Sequence, residues 1–276
     1  QSERQLMLSI LMLTPQMPYP PRQGTALRNW GLLQGLADHH AVSLLTFVSS
    51  DQSPTPEPPL AKAVQRIAAI EEPTRTMSNR MRDLLTKRTP DLAERLASSS
   101  FEDQLSDWLR RYTFDWIIVE GLEMAPYLEA LGEGRAKSIK ADKRPRVVFD
   151  AHNCEYLLQR RAAGSDWRRL RRWPAAAYSA VQWRRLRRYE ARICRRADTV
   201  VAVSDADARA LRAIVPGLDP LVIPNGIDAA TYAGFQEAAA LEKPAFVFTG
   251  TMDFRPNVDS VLWFADAIWP TIRQAM

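Results

Sequence analysis

The stretch RVVFDAHNCEY (146–156) sets Asp150, His152, Asn153 and Glu155 directly behind a short apolar run. An imidazole titrates near neutrality, so His152 can take, give or steer a proton at physiological pH. Asp150, two positions away, could orient that imidazole or hold a substrate hydroxyl. Asn153 adds an amide with both donors and an acceptor. The competing reading is that Asp150 or Asn153 merely caps a following helix. His152 adds little as a cap, so chemistry is the better account of it. Two further places carry the same kind of polarity. Glu120 closes the apolar run WIIVE (116–120), and Gly24 and Arg28 follow the first apolar run of the chain. Gly24 lies just before a helix start, where a residue without a side chain lets backbone N–H groups approach an anion. Gly250 and Thr251 precede a later helix in the same way, with Arg255 as a nearby cation.

These residues need elements to hold them. Apolar runs at 6–13, 41–48, 116–120, 146–149, 199–203 and 220–224 read as strands. Helical patterns fall at 25–37, 60–70, 77–87, 91–111, 178–197 and 204–214, the last opening on Ser204 and Asp205 as an N-cap signal. The four prolines of DQSPTPEPP (51–59) mark a surface loop. Strands alternating with helices predict an α/β fold with a parallel, doubly wound sheet, and such sheets bind ligands at the carboxyl ends of their strands. Asp150, His152, Glu120, Gly24 and Arg28 all fall at such ends. After VIPNGIDAATY (222–232), AFVFTG (245–250) reads as a new strand followed by a helix from Val258. The expected division is therefore a first domain over 1–228 and the opening of a second over 229–276. The chain begins at Gln1 and stops within a helical pattern at Met276, so a fragment is expected.

The chain has 276 residues, 46% of them apolar, enough for a core without disulfide staples. Cys154 and Cys194 form no CxxC pair and read as reduced thiols of a reducing compartment. LMLSILML (6–13) is too short to span a bilayer and lacks signal-peptide features. Net charge is +5, but its distribution is uneven: residues 160–196 hold thirteen arginines against Asp166 and Glu190, while the remainder carries 24 basic and 30 acidic residues. Such a patch suits a polyanion. On a helix over 178–197, Tyr178, Trp183, Leu186, Tyr189, Ile193 and Ala197 share one face. Arg184, Arg185, Arg187 and Arg188 lie on the other. Glu190 falls on the apolar side and is expected to pair with a basic group. With the tryptophans and arginines of DWRRLRRWP (166–174), this suits an anionic membrane surface. No zinc finger, RNP or helix-turn-helix signature argues for nucleic acid.

In order and spacing, PYPPRQGTALRNWGLLQGLADHHAVSLLTF, DAHNCEY, RRADTVVAVSDADARAL, VIPNGID and FTGTMDFRPNVDSVLWFADAIWP resemble family 4 glycosyltransferases, and most closely those associated with exosortase and PEP-CTERM exopolysaccharide clusters. The resemblance implies a GT-B-like fold: a Rossmann-like parallel sheet, then the start of a second Rossmann-like domain. It implies transfer of a sugar from a nucleotide-diphosphate donor, with retention at the anomeric carbon, without cofactor or required metal. The acceptor would be lipid-linked or an exopolysaccharide, and the place would be the cytoplasmic face of the membrane. Under this reading His152 and Asp150 are catalytic, Gly24, Gly250, Thr251 and Arg255 bind donor, and Arg28, Glu120 and Asn153 bind acceptor. Arg184, Arg185, Arg187 and Arg188 form the membrane patch. The chain departs from the family's common pattern at Gly250–Asn257, where Gly-Arg and a later Lys-Gly are usual, and a paired-glutamate motif is not within these residues. A non-catalytic polyanion- or membrane-binding module and a nucleotide-sugar epimerase of the same fold are the alternatives.

Overall fold

In a computed structural model, the described residues are 7–132, 144–167, 173–233, 245–252 and 255–275. They fall into two compact units, Gln1–Ile227 and Asp228–Met276. The first is built on seven strands, β1 (Ser9–Thr14), β2 (Ala41–Val48), β3 (Arg66–Glu71), β4 (Trp116–Glu120), β5 (Arg146–Ala151), β6 (Thr199–Ala202) and β7 (Leu221–Val222). Their order is β3-β2-β1-β4-β5-β6-β7, and every pairing is parallel. The helices between them are α1 (Gly24–Ala37), α2 (Pro58–Ala63), α3 (Met77–Thr86), α4 (Asp91–Glu94), α5 (Ser99–Arg111), α6 (Ala125–Gly132), α7 (Glu155–Trp167), α8 (Trp173–Arg196) and α9 (Asp205–Ile214). This is the predicted Rossmann-like α/β sheet. Strand order reverses between β1 and β4, the place where such a sheet leaves a crevice at its carboxyl edge.

The apolar runs are continuous because both faces of the sheet are covered. Alternate residues go to opposite sides. Ile10, Met12, Val42 and Leu44 pack with Leu33 of α1 and Leu60 of α2. Leu11, Leu13, Leu45, Phe47, Ile117, Val119 and Phe149 pack with Phe101 and Leu105 of α5, Leu186, Tyr189 and Ile193 of α8, and Leu211 of α9. Phe47, Phe101 and Tyr127 stack at the centre of that side, with centroids 4.3–6.3 Å apart. Such pairs add about 0.5–1.5 kcal/mol beyond their buried area.

Two expectations fail locally. The helix expected over 60–70 ends at Ala63, and Arg66–Glu71 pairs as β3 along Ser43–Val48 of β2. Ala68 and Ala69 favour helix locally, but the open edge of β2 offers a full ladder of hydrogen bonds, and tertiary context wins. The helix expected over 91–111 breaks into α4 and α5, because the Ser98 hydroxyl accepts from the Phe101 N–H and starts a new helix.

In the second unit, α10 (Arg255–Trp263) runs through a π-helical turn, Phe264–Ile268, into α11 (Trp269–Ala275). Pro270 explains the turn, since it cannot donate to the carbonyl four residues back and its ring clashes there. AFVFTG (245–250) is not a strand. Among the described residues of this unit there is no second strand to pair with, so the segment has no ladder to join.

Candidate active site

The register of the sheet places Glu120 directly beside Asp150 at the carboxyl ends of β4 and β5. Two adjacent carboxylates, 0% and 1% exposed, repel one another unless each is answered. Arg28 of α1 answers Asp150. Its Nε and Nη2 donate to Asp150 Oδ2 and Oδ1, both at 2.8 Å, in a fork geometry. Its Nη1 reaches on to the Ile223 carbonyl at 2.9 Å and Asn225 Oδ1 at 3.1 Å. Arg28 therefore ties α1, β5 and the Pro-Asn-Gly turn after β7 into one frame. Asp150 thus meets Arg28 rather than the imidazole it was expected to hold, and Arg28, the expected acceptor contact, also braces the frame.

Glu120 holds the imidazole instead. His152 Nε2 lies 2.8 Å from Glu120 Oε2. Burial and the neighbouring Asp150 charge push the Glu120 carboxyl up to about 7, against the pull of His152. Burial draws the His152 imidazole down, but the hydrogen bond and charge of Glu120, with Asp150 behind it, outweigh burial and leave it above its ordinary value. When Glu120 is ionised, Nε2 carries its hydrogen toward the carboxylate, and a neutral ring keeps its lone pair on Nδ1. Gly121 makes the left-handed turn that leaves Glu120. It turns at φ +79°, and an added Cβ would stand 3.0 Å from Glu123 Oε2 and 3.6 Å from His152 Nδ1. Sequence reasoning did not single out Gly121; its signal was a glycine directly after a strand-end carboxylate.

Ligand atoms of Glu120, Asp150 and His152 lie within 4.8 Å of one another, a spacing that could hold a metal ion. The donor chemistry fits poorly. Asp150 already accepts a bidentate guanidinium, so an ion would have to displace Arg28, and Glu120 is on the imidazole. The cluster is built as a charge-paired dyad and clamp.

His152, 13% exposed at its side chain, opens onto a cavity of about 170 Å³ shared with Gln16, Gln23, Thr25, Glu123 and Asn153. Asn153 is exposed and donates weakly to Glu155, at 3.4 Å. The start of α1 borders the same cavity. Its N-cap, Gln23, makes no side-chain cap, and a Cβ on Gly24 would meet nothing within 4 Å. That leaves the first-turn N–H groups without a side-chain cap beside the cavity, and such helix starts attract anions. Behind His152, the loop is anchored by Glu190 of α8, whose two oxygens accept from the N–H groups of Glu155 and Tyr156 at 3.1 Å each. The expected basic partner of Glu190 is thus replaced by the first turn of α7. Burial pushes the Glu190 carboxyl up to about 8. Cys154 and Cys194 are buried free thiols, raised by burial.

In the second unit, Gly250 is needed for space: a Cβ would fall 2.7 Å from Asn257 Nδ2. Asn257 Nδ2 donates to the Thr251 carbonyl at 2.9 Å, fixing the loop before α10. Arg255 opens α10, and its side chain lies outside the described residues, as do the arginines of 168–172. On α8, Arg184, Arg187 and Arg188 are exposed. Arg185 is not part of that surface, because its Nη2 donates to the Leu84 carbonyl of α3 at 2.7 Å. No described helix is long and apolar enough to cross a membrane.

Residues 23–231 match the model of Glycosyltransferase Family 4. No curated protein matches the chain. Among solved structures, Phytolacca americana UGT2 complexed with UDP-2-fluoro-glucose and pterostilbene is 14% identical, over 80% of this chain and 54% of that one, with a TM-score of 0.45. A UDP-glucosyltransferase from Polygonum tinctorium is 11% identical, over 81% and 53%, at 0.43. The N-terminal domain of Candida albicans trehalose-6-phosphate phosphatase is 12% identical, over 84% and 51%, at 0.40. The chain spans about half the length of these structures.

Proposed function

The chain belongs to Glycosyltransferase Family 4, and on that footing we propose that it serves a retaining transfer of sugar from a nucleotide-diphosphate donor to a lipid-linked or exopolysaccharide acceptor. The observation that carries this reading is the Glu120–His152 dyad opening onto the same cavity as the uncapped start of α1. As the bond from C1 of the sugar to the leaving phosphate breaks, negative charge grows on that phosphate. Backbone N–H groups at Gly24 would stabilise it. The acceptor oxygen bonds to C1 on the same face, and its proton passes to the leaving phosphate. His152 steers the sugar and the incoming hydroxyl, with Glu120 fixing its ring. Asp150 and Arg28 hold the loop in register. Asn153 remains a candidate acceptor contact, and Gly250, Thr251 and Arg255 are candidate donor contacts within their own unit. The chemistry asks for no cofactor or metal. The exopolysaccharide setting, of the kind found with exosortase and PEP-CTERM clusters, is supported by the sequence stretches alone, and attachment to the inner membrane face by the exposed arginines of α8.

The test is product formation by the protein from a panel of nucleotide sugars, followed by mass spectrometry. His152→Ala is expected to lower turnover about 10²-fold, about 2.7 kcal/mol of barrier, with donor affinity little changed. Unchanged turnover would reduce His152 to a loop residue. A nucleotide-sugar epimerase is the second reading, favoured by the same dyad, which could move a proton at a sugar carbon. Deuterium from heavy water appearing in recovered nucleotide sugar, without glycoside product, would select it.

A further inference from the structure

Beyond the cavity at His152, a groove of about 450 Å³ continues toward α8. The two are contiguous, since Glu72, Arg95 and Glu155 line both. We propose that this groove is a subsite for an uncharged oligosaccharide, so that the acceptor reaches His152 as the end of a saccharide chain. The inference rests on the glycosyltransferase reading for the role of that chain, though not for its binding.

The charges of the groove set the ligand's class. Carboxylates of Glu72, Asp91 and Glu155 balance guanidinium groups of Arg75, Arg80 and Arg95. All three arginines are already committed, Arg95 to Glu123 at 3.6 Å. Arg75 pairs with Asp91 at 3.0 Å and Asp83 at 2.9 Å, and Arg80 pairs with Asp91 at 2.8 Å. A phosphate or uronate entering here would have to break those pairs while facing three carboxylates, and the exposed arginines of α8 lie open to it elsewhere. An acyl chain fits no better, because it would strip water from these charged groups and return no hydrogen bonds. A neutral saccharide suits both halves of the lining. Leu92 and Tyr178, both half-buried, offer apolar surface for the C–H face of a sugar ring, with Leu96 and Leu186 buried behind them. The paired carboxylates and guanidinium groups, held in place, offer acceptors and donors to its hydroxyls. Gln182, buried behind the groove, fixes the start of α4, its Oε1 accepting from the Asp91 N–H at 3.0 Å. Gln159 of α7 borders the groove and is half-buried, so a larger side chain there fills the groove without entering the core.

The experiment uses the 276-residue chain and neutral maltose- and cellulose-series sugars, from mono- to hexasaccharide, each with and without a terminal phosphate, read by saturation-transfer NMR. Binding should strengthen with neutral chain length, gain nothing from phosphate, and weaken about tenfold or more in Gln159→Trp and Tyr178→Ala. Circular dichroism and thermal melting check that both variants fold. Absence of binding by every neutral oligosaccharide, preference for the phosphorylated ones, or full binding by folded Gln159→Trp would overturn the proposal. Nucleotide release by the protein separates the two readings. Oligosaccharide binding at this groove without any turnover of nucleotide sugars would sink the glycosyltransferase reading alone. Turnover with an acceptor KM untouched by Gln159→Trp would sink the groove alone.

Discussion

His152 is useful only because of what stands around it. Glu120 turns it, Gly121 makes the left-handed turn beside it, and Arg28 neutralises the carboxylate beside its partner. The dyad yields a prediction with a definite sign. Glu120→Gln keeps an acceptor oxygen for Nε2 but removes the charge that holds the imidazole above its ordinary value, so burial should prevail and the His152 pKa should fall. An imidazole titration by NMR reads this directly, and an unchanged pKa would mean that Glu120 does not set it. In the wild type both members of the dyad have raised folded values. Their contribution to stability is therefore present at low pH and is lost as pH rises through about 7, and the variant should flatten that slope. Much of this site was legible in the sequence. Glu120, Asp150, His152 and Arg28 all come from strand-end loops or the first helix, where polar side chains have no structural reason to gather. The pairing among them was not legible. Asp150 is two residues from His152 in the chain, yet the partner comes from the neighbouring strand, because register rather than sequence distance decides which carboxylate meets the ring.

At the scale of elements, α8 is a brace as much as a charged rod. Leu186, Tyr189 and Ile193 bury against the sheet, and Glu190 reaches from the same face to cap α7. A basic partner was the natural expectation for a carboxylate in an arginine-rich helix. The first turn of a helix is an equally good partner, since it carries unsatisfied N–H groups and the positive end of the helix dipole, and its nearness is a tertiary fact. Glu190→Ala would strand the N–H groups of Glu155 and Tyr156, which should lower stability by about 2 kcal/mol near pH 5. The Glu190 carboxyl is raised to about 8, so its contribution is fully present below about 4.5 and is lost as pH rises through 8. The gap between wild type and variant in urea unfolding should accordingly narrow toward pH 8. A gap that widens instead would mean that the ionised carboxylate is the stabilising form. The strand β3 was hidden for a similar reason. RIAAIE has little strand character of its own and becomes one by completing the edge of β2.

Across the whole molecule, the alternation of apolar runs and helical patterns was enough to foresee a parallel, doubly wound sheet, because each run is buried on both faces and each crossover needs a helix. Charge is sorted on the same scale. The groove beside the dyad is internally paired, while the outward face of α8 carries Arg184, Arg187 and Arg188 in the open. Arg184 donates to the Ala180 carbonyl at 3.0 Å and lies over Trp183 at 5.0 Å, an amphipathic pair suited to a headgroup region. Arg185 is left out of the multiple variant, since removing it would unpin α3 and confuse folding with binding. Each basic residue near an anionic surface contributes roughly 1 kcal/mol, so changing Arg184, Arg187 and Arg188 together to Gln should weaken binding to anionic vesicles by up to about 3 kcal/mol. The wild-type affinity should itself fall with added salt, because exposed charges are screened beyond about 8–10 Å. Co-sedimentation with anionic and neutral vesicles, at low and high salt, measures both effects. Arg185→Gln alone serves as the contrast: it should lower melting temperature while leaving vesicle binding of the folded protein nearly intact. Equal binding of wild type to both vesicle types would end the membrane assignment. A triple variant that melts well below wild type would place these arginines among the fold's internal partners instead.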